Sequence, residues 1–406
     1  MNAPTTRREF LRTTGFVSLA FGIPLELVRS QEPIRLPGDL HNNRMLSAWL
    51  RIDADNTVTL MVGKVELGQG ILTAVTQVCA DELDVNFEQI KVISGDTQLV
   101  PNEGVTAGSL SMPYCATAVR HASAEVRAIL LDLAAQKWGR KAEGLTASAG
   151  VIKSPEGASV RYGDLLIGQA LQREATGKVP LKALNEHRYT GRSIPRPDIF
   201  HKVMGHAIFV QEMRLPGMLH AVYEKGPVFW AQVKTHNLDD IKKMPGVKHA
   251  FVVTRPAFEP NIINGDPGLE PGIAIVADYW FQANNARKAL KVTWDEGKFG
   301  GAAHTSTVYA TNAAAMVKEE PHDVTRNDGD VAKAFADLPK NGGKVITGNY
   351  AYPMISHAPL EPQNCTAWYH DGKLELWSNS QIPGSGVNLA AAAAELQPAQ
   401  VTLHMV

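Results

Sequence analysis

Between residues 48 and 62 apolar and polar side chains alternate: Ala48-Trp-Leu-Arg-Ile52, the polar stretch Asp53-Ala-Asp-Asn56, then Thr57-Val-Thr-Leu-Met-Val62. A period of two on either side of an Asp/Asn turn predicts a β-hairpin. From Ile71 the period changes, with Ile71, Val75, Val78, Cys79 and Leu83 at helical spacing, and Ile90-Lys-Val-Ile93 returns to a strand pattern. A long helix is expected from Met112 to Trp138, closed by Gly139 in the left-handed conformation. Beyond Gly150 the pattern is strand-rich and punctuated, and Ser193-Ile-Pro-Arg-Pro-Asp198 reads as a linker.

The second half predicts a compact α/β unit from His201 to Asp295. Its strands are placed at Gly205–Gln211, Met218–Val222 and Val247–Val253, with a helix near Leu238 to Lys243. Glu296 to Gly343 is polar and irregular, an extended connection with a helix or two. A third unit starts near Lys344, with strands Cys365–Tyr369 and Lys373–Ser378 leading to a helix Val387–Leu396 and a strand opening at Val401. A buried-type strand at Val401–Val406 needs partners, which leads us to expect the front portion of a larger fold; a docked edge strand is the other reading.

Length and composition fit this division. At 406 residues the chain exceeds what one core supports, and 44% hydrophobic residues can fill two or three. A formal net charge of −1 with scattered basic residues argues against a nucleic-acid partner. Cys79, Cys115 and Cys365 lie far apart, with no C-x-x-C pair, so the chain is expected to hold no iron–sulfur cluster, structural zinc or c-type haem; three buried, unpaired thiols are expected. At the amino terminus Arg7-Arg8-Glu9-Phe10-Leu11 precedes a weakly apolar run, Gly15 to Leu25, too short to span a bilayer. The pattern resembles the twin-arginine signal for exporting folded, cofactor-loaded proteins; a chance Arg-Arg in a tail is the bland alternative.

Three small-residue loops precede helices. In Gly63-Lys-Val-Glu-Leu-Gly-Gln-Gly70 the glycines allow left-handed turns and close approach. There backbone N–H groups can hold a phosphate or pterin, with the Gln69 amide as donor and acceptor. Thr106-Ala-Gly-Ser-Leu-Ser-Met112 has the same composition, and an ordinary helix cap by Ser109 or Ser111 explains it equally well. Gln381-Ile-Pro-Gly-Ser-Gly386 invites a dinucleotide reading, but Leu389 stands where the third glycine belongs. No G-x-S-x-G, H-E-x-x-H or Walker loop occurs. His357 and Glu361 can serve as an acid–base pair or as ordinary hydrogen-bonding residues.

In this order the pieces resemble the molybdopterin-binding large subunit of the xanthine dehydrogenase and aldehyde oxidase family, most of all the branch typified by isoquinoline 1-oxidoreductase β subunits. Val65–Gly70 with Thr73 and Gln77 is similar to the cofactor loop and Thr106–Ser111 to its companion. His201–Val253, with Pro216–His220 and Met244–Val247, is similar to the α/β-hammerhead domain. Leu360–Ala367 and Glu375–Gln381 are similar to the start of the first molybdopterin domain.

The resemblance implies an α+β molybdenum-hydroxylase large subunit. It divides into a twin-arginine signal over 1–35, a molybdopterin-binding segment over 45–192, a hammerhead domain over 200–295 and an incomplete molybdopterin domain over 344–406. It implies a molybdenum–molybdopterin cofactor, plain or in the cytosine dinucleotide form, lined by Gly68, Gln69, Gly70, Ala107, Gly108, Ser109, Ser111 and Gln381. Molybdenum is then held by the pterin and no residue ligates it directly; Gln381 donates to the metal's oxo ligand. It further implies oxidation of N-heteroaromatic or aldehyde carbons with water as oxygen source. Electrons pass to a small [2Fe-2S] subunit and a cytochrome c acceptor, after export to the periplasm. The family's later glycine-rich loop and general-base glutamate have no counterpart in this sequence. No catalytic residue is therefore assignable, and the chain alone is expected to be inactive. A truncated, inactive scaffold or partner-binding remnant is the alternative.

Overall fold

The computed structural model describes residues 35–166, 171–206, 209–254, 270–297, 300, 305–320, 322–355 and 357–406. All but the last residue of the expected export signal, and Ala207 and Ile208 of the expected 205–211 strand, lie outside these residues.

The predicted hairpin forms as β1 (Leu50–Ile52) and β2 (Val58–Val62), antiparallel with Leu50 opposite Leu60. Asn56 takes a left-handed φ of 76° and closes the turn on Asp53, a conformation Asn tolerates. Chain reversal through helix α1 (Ile71–Leu83) brings β3 (Ile90–Ser94) parallel to β2. The 63–70 loop thus sits where a strand's carboxyl end enters a helix, the usual position of ligands in such units.

The predicted long helix starts differently. Ser111–Ala116 form a π-helical turn, and α2 runs Thr117–Lys137. Trp138 then caps the helix and Gly139, at φ 60°, closes it as expected. A small antiparallel sheet, β4 (Thr146–Ser148), β5 (Val151–Lys153) and β6 (Ser159–Arg161), completes this part. One hydrophobic cluster joins it, from Leu36 through Trp49, Leu60, Val75, Cys79, Val119 and Leu130 to Tyr162 and Ala175.

A second cluster lies in the 210–295 stretch. β7 (His220–Lys225) and β9 (Val247–Val253) flank β10 (Gly272–Ala277), both antiparallel. β8 (Gln232–His236) pairs with β11 (Val292–Asp295), and helix α3 (Trp280–Ala289) packs Ala283 and Ala286 inward. The expected strand at Gly205–Gln211 is not seen in its described residues; Val210–Glu212 make a 3-10 turn. There the Glu212 carboxylate accepts the Phe209 N–H, so local capping outcompetes pairing. The short helix near 238 ends at Ile241. The polar connection holds α4 (Ser306–Met316) and α5 (Val331–Asp337), each capped by a side chain, Thr305 and Asp330.

The last unit is a three-stranded sheet: β12 (Cys365–His370), β13 (Lys373–Ser378) and β14 (Val401–His404), with α6 (Pro383–Ala393) as the crossover between parallel β13 and β14. The helix expected from Val387 begins four residues earlier, because Pro383 takes the first helical position, where its fixed φ and missing N–H cost nothing. Thr97 and Leu403 exchange hydrogen bonds, and His404 Nδ1 lies 2.8 Å from Asp96 Oδ2, fastening β14 beside the turn after β3. All three cysteines are unpaired, but Cys365 is exposed rather than buried, since β12 is an edge strand with a largely uncovered face. Among the described residues no helix is long and apolar enough to cross a membrane.

Candidate functional site

Leaving β2, the chain passes Gly63, where any Cβ would collide with the Pro101 carbonyl, so glycine is required by contact rather than by φ. The loop proper is organised by a residue that sequence patterns do not single out. Glu66 turns its carboxylate into the start of α1: Oε1 accepts the N–H groups of Gly68 (2.8 Å) and Gly70 (2.9 Å), and Oε2 that of Leu72 (3.3 Å). A carboxylate there is favoured by the free N–H groups and the helix dipole.

Gln69 also closes on the loop, accepting from Leu67 N (2.6 Å) and donating to Val65 O (3.0 Å). Arg196, from the expected linker, reaches Gly68 O at 2.8 Å and Glu66 Oε1 at 3.5 Å. The same guanidinium and Lys202 hold the Asp198 carboxyl well below the usual carboxylate range. Of the N–H groups expected to face an anion in the 63–70 loop, those of Gly68 and Gly70 are taken by Glu66, which also accepts from Leu72. Gly68 and Gly70 adopt φ of 97° and 83°, and a Cβ on either would meet nothing within 4 Å, so their outer side is open.

The companion loop is built the opposite way. Gly108 and Ser109 are consecutive left-handed residues at φ 61° and 59°, and Ala107, Gly108 and Ser109 are exposed. Among the described residues their three N–H groups have no hydrogen-bond acceptor. A run of free amides of this kind suits an anionic or carbonyl-rich ligand. The helix-cap alternative does not hold: neither Ser109 nor Ser111 caps the π-helical turn, whose cap position is Leu110.

Thr106 joins the parts. Its Oγ1 accepts the buried Val65 N–H at 3.0 Å, its own N–H donates to Gln381 O at 2.8 Å, and its carbonyl accepts from Gln381 Nε2 at 2.9 Å. Three segments remote in sequence, 65–70, 106–111 and 381, thus meet at one residue. Gln381 Nε2 carries two hydrogens, so one stays available after this bond. Next to the junction a cleft of about 310 Å³ is lined by Gly63, Asn102, Glu103, Gly384, Asn388 and Thr402 among others.

Beneath both loops lies a buried polar group. Lys64 Nζ donates to the carbonyls of Glu103 (2.5 Å) and Val105 (2.9 Å), while Glu103 Oε2 accepts from Gly63 N (2.5 Å) and Lys64 N (3.2 Å). Burial, together with the adjacent Asp39 carboxyl, pushes Glu103 up to about 7. Burial likewise pushes Cys79 up to about 12 and raises Cys115, which also faces Glu103.

His357 and Glu361 do not form a pair. Glu361 Oε1 takes Gln211 N and Asn364 Nδ2, and Oε2 takes Asn379 Nδ2. Sequence reasoning placed Lys64, Glu66 and Thr106 within these loops but gave none of them a role. A Glu four residues before the glycine that precedes a helix was the available signal for Glu66.

The folded chain thus brings two small-residue loops and Gln381 together at Thr106. Two stretches, residues 5–200 and 316–406, match families described as molybdopterin cofactor-binding domain and together cover most of the chain. A nicotinate dehydrogenase subunit of Pseudomonas putida is 29% identical over 84% of this chain and 27% of its own length. The beta subunit of isoquinoline 1-oxidoreductase from Brevundimonas diminuta is 26% identical over 98% of this chain and 54% of its own. The chain therefore spans about half the length, or less, of these curated relatives. The aldehyde oxidoreductase structure from Desulfovibrio gigas overlaps 90% of this chain and 35% of that one, at 17% identity and a TM-score of 0.38. The chain belongs to the xanthine dehydrogenase family of molybdopterin-binding subunits.

Proposed function

We propose that this chain forms the molybdopterin-holding part of a molybdenum hydroxylase that oxidises a carbon beside a ring nitrogen, with water as the oxygen source. The observation that carries the reading is the junction at Thr106, which sets the 65–70 loop, the open amides of 107–109 and Gln381 together. These residues fit the group: free N–H donors at Ala107, Gly108 and Ser109, open space at Gly68 and Gly70, and the remaining Gln381 amide hydrogen. When bound, the cofactor supplies the two-electron oxidation and oxygen transfer. The residues of this chain bind and orient it; Gln69 closes the first loop from within, and Ser111 opens the π-helical turn behind the second.

The ring-nitrogen substrate class is taken from the names of the two relatives, nicotinate dehydrogenase and isoquinoline oxidoreductase. An aldehyde carbon is the second reading, supported by the family resemblance and by a relative, 26% identical over 93% of this chain, that is named an aldehyde dehydrogenase. Electrons leave to a small [2Fe-2S] subunit and onward to a c-type cytochrome: three scattered cysteines in this chain cannot supply the four thiolates a cluster takes. The cytosine dinucleotide form of the cofactor and periplasmic placement through the Arg7-Arg8 signal complete the proposal.

The test is hydroxylation of nicotinate, isoquinoline and an aromatic aldehyde by the complex purified from its host in isotopically labelled water. Label in the product of either ring supports the reading, and label in the acid from the aldehyde alone selects the second. A molybdenum-loaded complex that oxidises none of the three refutes both.

A further inference from the structure

The buried polar group under the loops carries an inference of its own. Asp39 comes from the 3-10 turn Gly38–His41, Lys64 from the exit of β2, Glu103 from the approach to the 106–111 loop, and Cys115 from the π-helical turn. All four side chains are buried. The Lys64 ammonium is 3.9 Å from Asp39 Oδ2 and donates to two carbonyls. Glu103 Oε2 takes two backbone N–H groups, which leaves Glu103 Oε1 and Asp39 Oδ2 buried with no N–H or O–H donor among the described residues.

The two carboxyl groups face each other, and the Cys115 thiol lies against Glu103. Two buried acceptor oxygens that face each other without a donor repel unless one carries hydrogen. With one proton between them, the buried charges are one carboxylate against one ammonium.

We propose that Glu103 carries a proton that it donates towards the orphaned Asp39 Oδ2, and that this proton locks segment 63–65 to segment 103–106 and so sets the register of the two candidate cofactor loops. The lock works through Gly63 N, Lys64 N and Lys64 Nζ on one side and the Glu103 side chain, Glu103 O and Val105 O on the other. The adjoining Val65–Thr106 bond continues the zipper into the loops themselves. The charged and titratable groups facing the pair are Lys64 and Cys115. Neither can replace the proton, because Lys64 already donates to the carbonyls and the Cys115 thiol is a weak donor.

The direction of the pH effect follows. Glu103 is raised from 4.5 to about 7 by burial and the Asp39 carboxyl, so the folded state holds a proton the unfolded state has released. Stability is therefore greatest below the unfolded value and falls as pH rises towards about 7. Glu103→Gln mimics the protonated acid: its carbonyl oxygen can accept from Gly63 and Lys64, and its NH₂ can donate to Asp39 Oδ2.

The experiment uses the purified chain without cofactor, so it stands or falls independently of the molybdenum reading. Thermal melting is recorded from about pH 5 to about pH 8.5 for the wild type, Glu103→Gln and Asp39→Asn, with infrared difference spectra of the wild type across the same range. The proposal expects a protonated-carboxyl band in the wild type at the acid end that disappears towards the alkaline end. It also expects a wild-type melting temperature that drops by several degrees over that range while Glu103→Gln stays flat and exceeds the wild type at the alkaline end. Parallel melting profiles for wild type and Glu103→Gln overturn it, as does the absence of that band at the acid end. Should Glu103→Gln not fold, the wild-type band and the Asp39→Asn profile decide alone.

Discussion

Thr106→Val isolates the junction on which the functional reading depends. Valine preserves the branched shape and apolar contacts of threonine but removes the hydroxyl that accepts the Val65 N–H at 3.0 Å. Both residues are buried, Thr106 at 3% and Val65 at 0% exposure, so no water replaces the lost acceptor. An orphaned buried amide costs about 1–3 kcal/mol. For a domain of this size about 2 kcal/mol lowers the melting temperature by roughly 4–8 °C.

Thr106→Ser is the matched control: it keeps the acceptor and deletes one methyl, for about 0.8 kcal/mol. The backbone bonds to Gln381 involve only the main chain of residue 106 and survive both changes. Scanning fluorimetry of the two variants therefore expects the order wild type, Ser, Val. Bound molybdenum in protein from the native host is expected to fall in Val and hold in Ser. A Ser variant that melts as low as Val, or a Val variant indistinguishable from wild type, would mean that packing rather than the hydroxyl holds the loops, and the junction argument fails.

Other consequences are open to measurement. Glu66→Ala frees the amides of Gly68, Gly70 and Leu72 and removes one partner of Arg196; limited proteolysis is expected to cut between residues 65 and 72 faster than in the wild type, and an unchanged cleavage pattern would deny Glu66 its organising role. Asp81 is buried, and although burial opposes its charge, the N–H groups of Arg188, Tyr189 and Thr190 hold its carboxyl below the usual range. Its contribution is present above the ordinary Asp value and lost as pH falls below it; Asp81→Ala should cost about 3 kcal/mol near neutral pH in denaturant titration and much less in acid. Thiol labelling of the native chain should modify Cys365 alone, since Cys79 and Cys115 are buried with raised thiols. Labelling of all three at one rate would contradict the described packing.

Much of the scaffold was legible in the sequence because short-range rules govern it. The alternation of 48–62, the helical spacing of Ile71 to Leu83, and Gly139 closing a helix each depend on residues within one or two turns. The resemblance to the molybdopterin family rested on the order of such pieces, and the family matches agree with it. What failed was what only the third dimension decides. Glu66 reads as an ordinary polar loop residue until the chain turns it into the amides of 68, 70 and 72. Thr106 gains its role from partners 41 and 275 residues away. Gly384 and Gly386 suggested a loop, yet Pro383 ahead of them starts a helix. Cys365 sits in an apolar-looking strand whose place at the sheet edge no local pattern reveals.

The claim that this chain cradles molybdopterin is tested most directly by molybdenum and pterin per polypeptide in protein purified from its native host. The account predicts near-stoichiometric amounts of both. Metal-free, pterin-free protein from a host that makes the cofactor would contradict it.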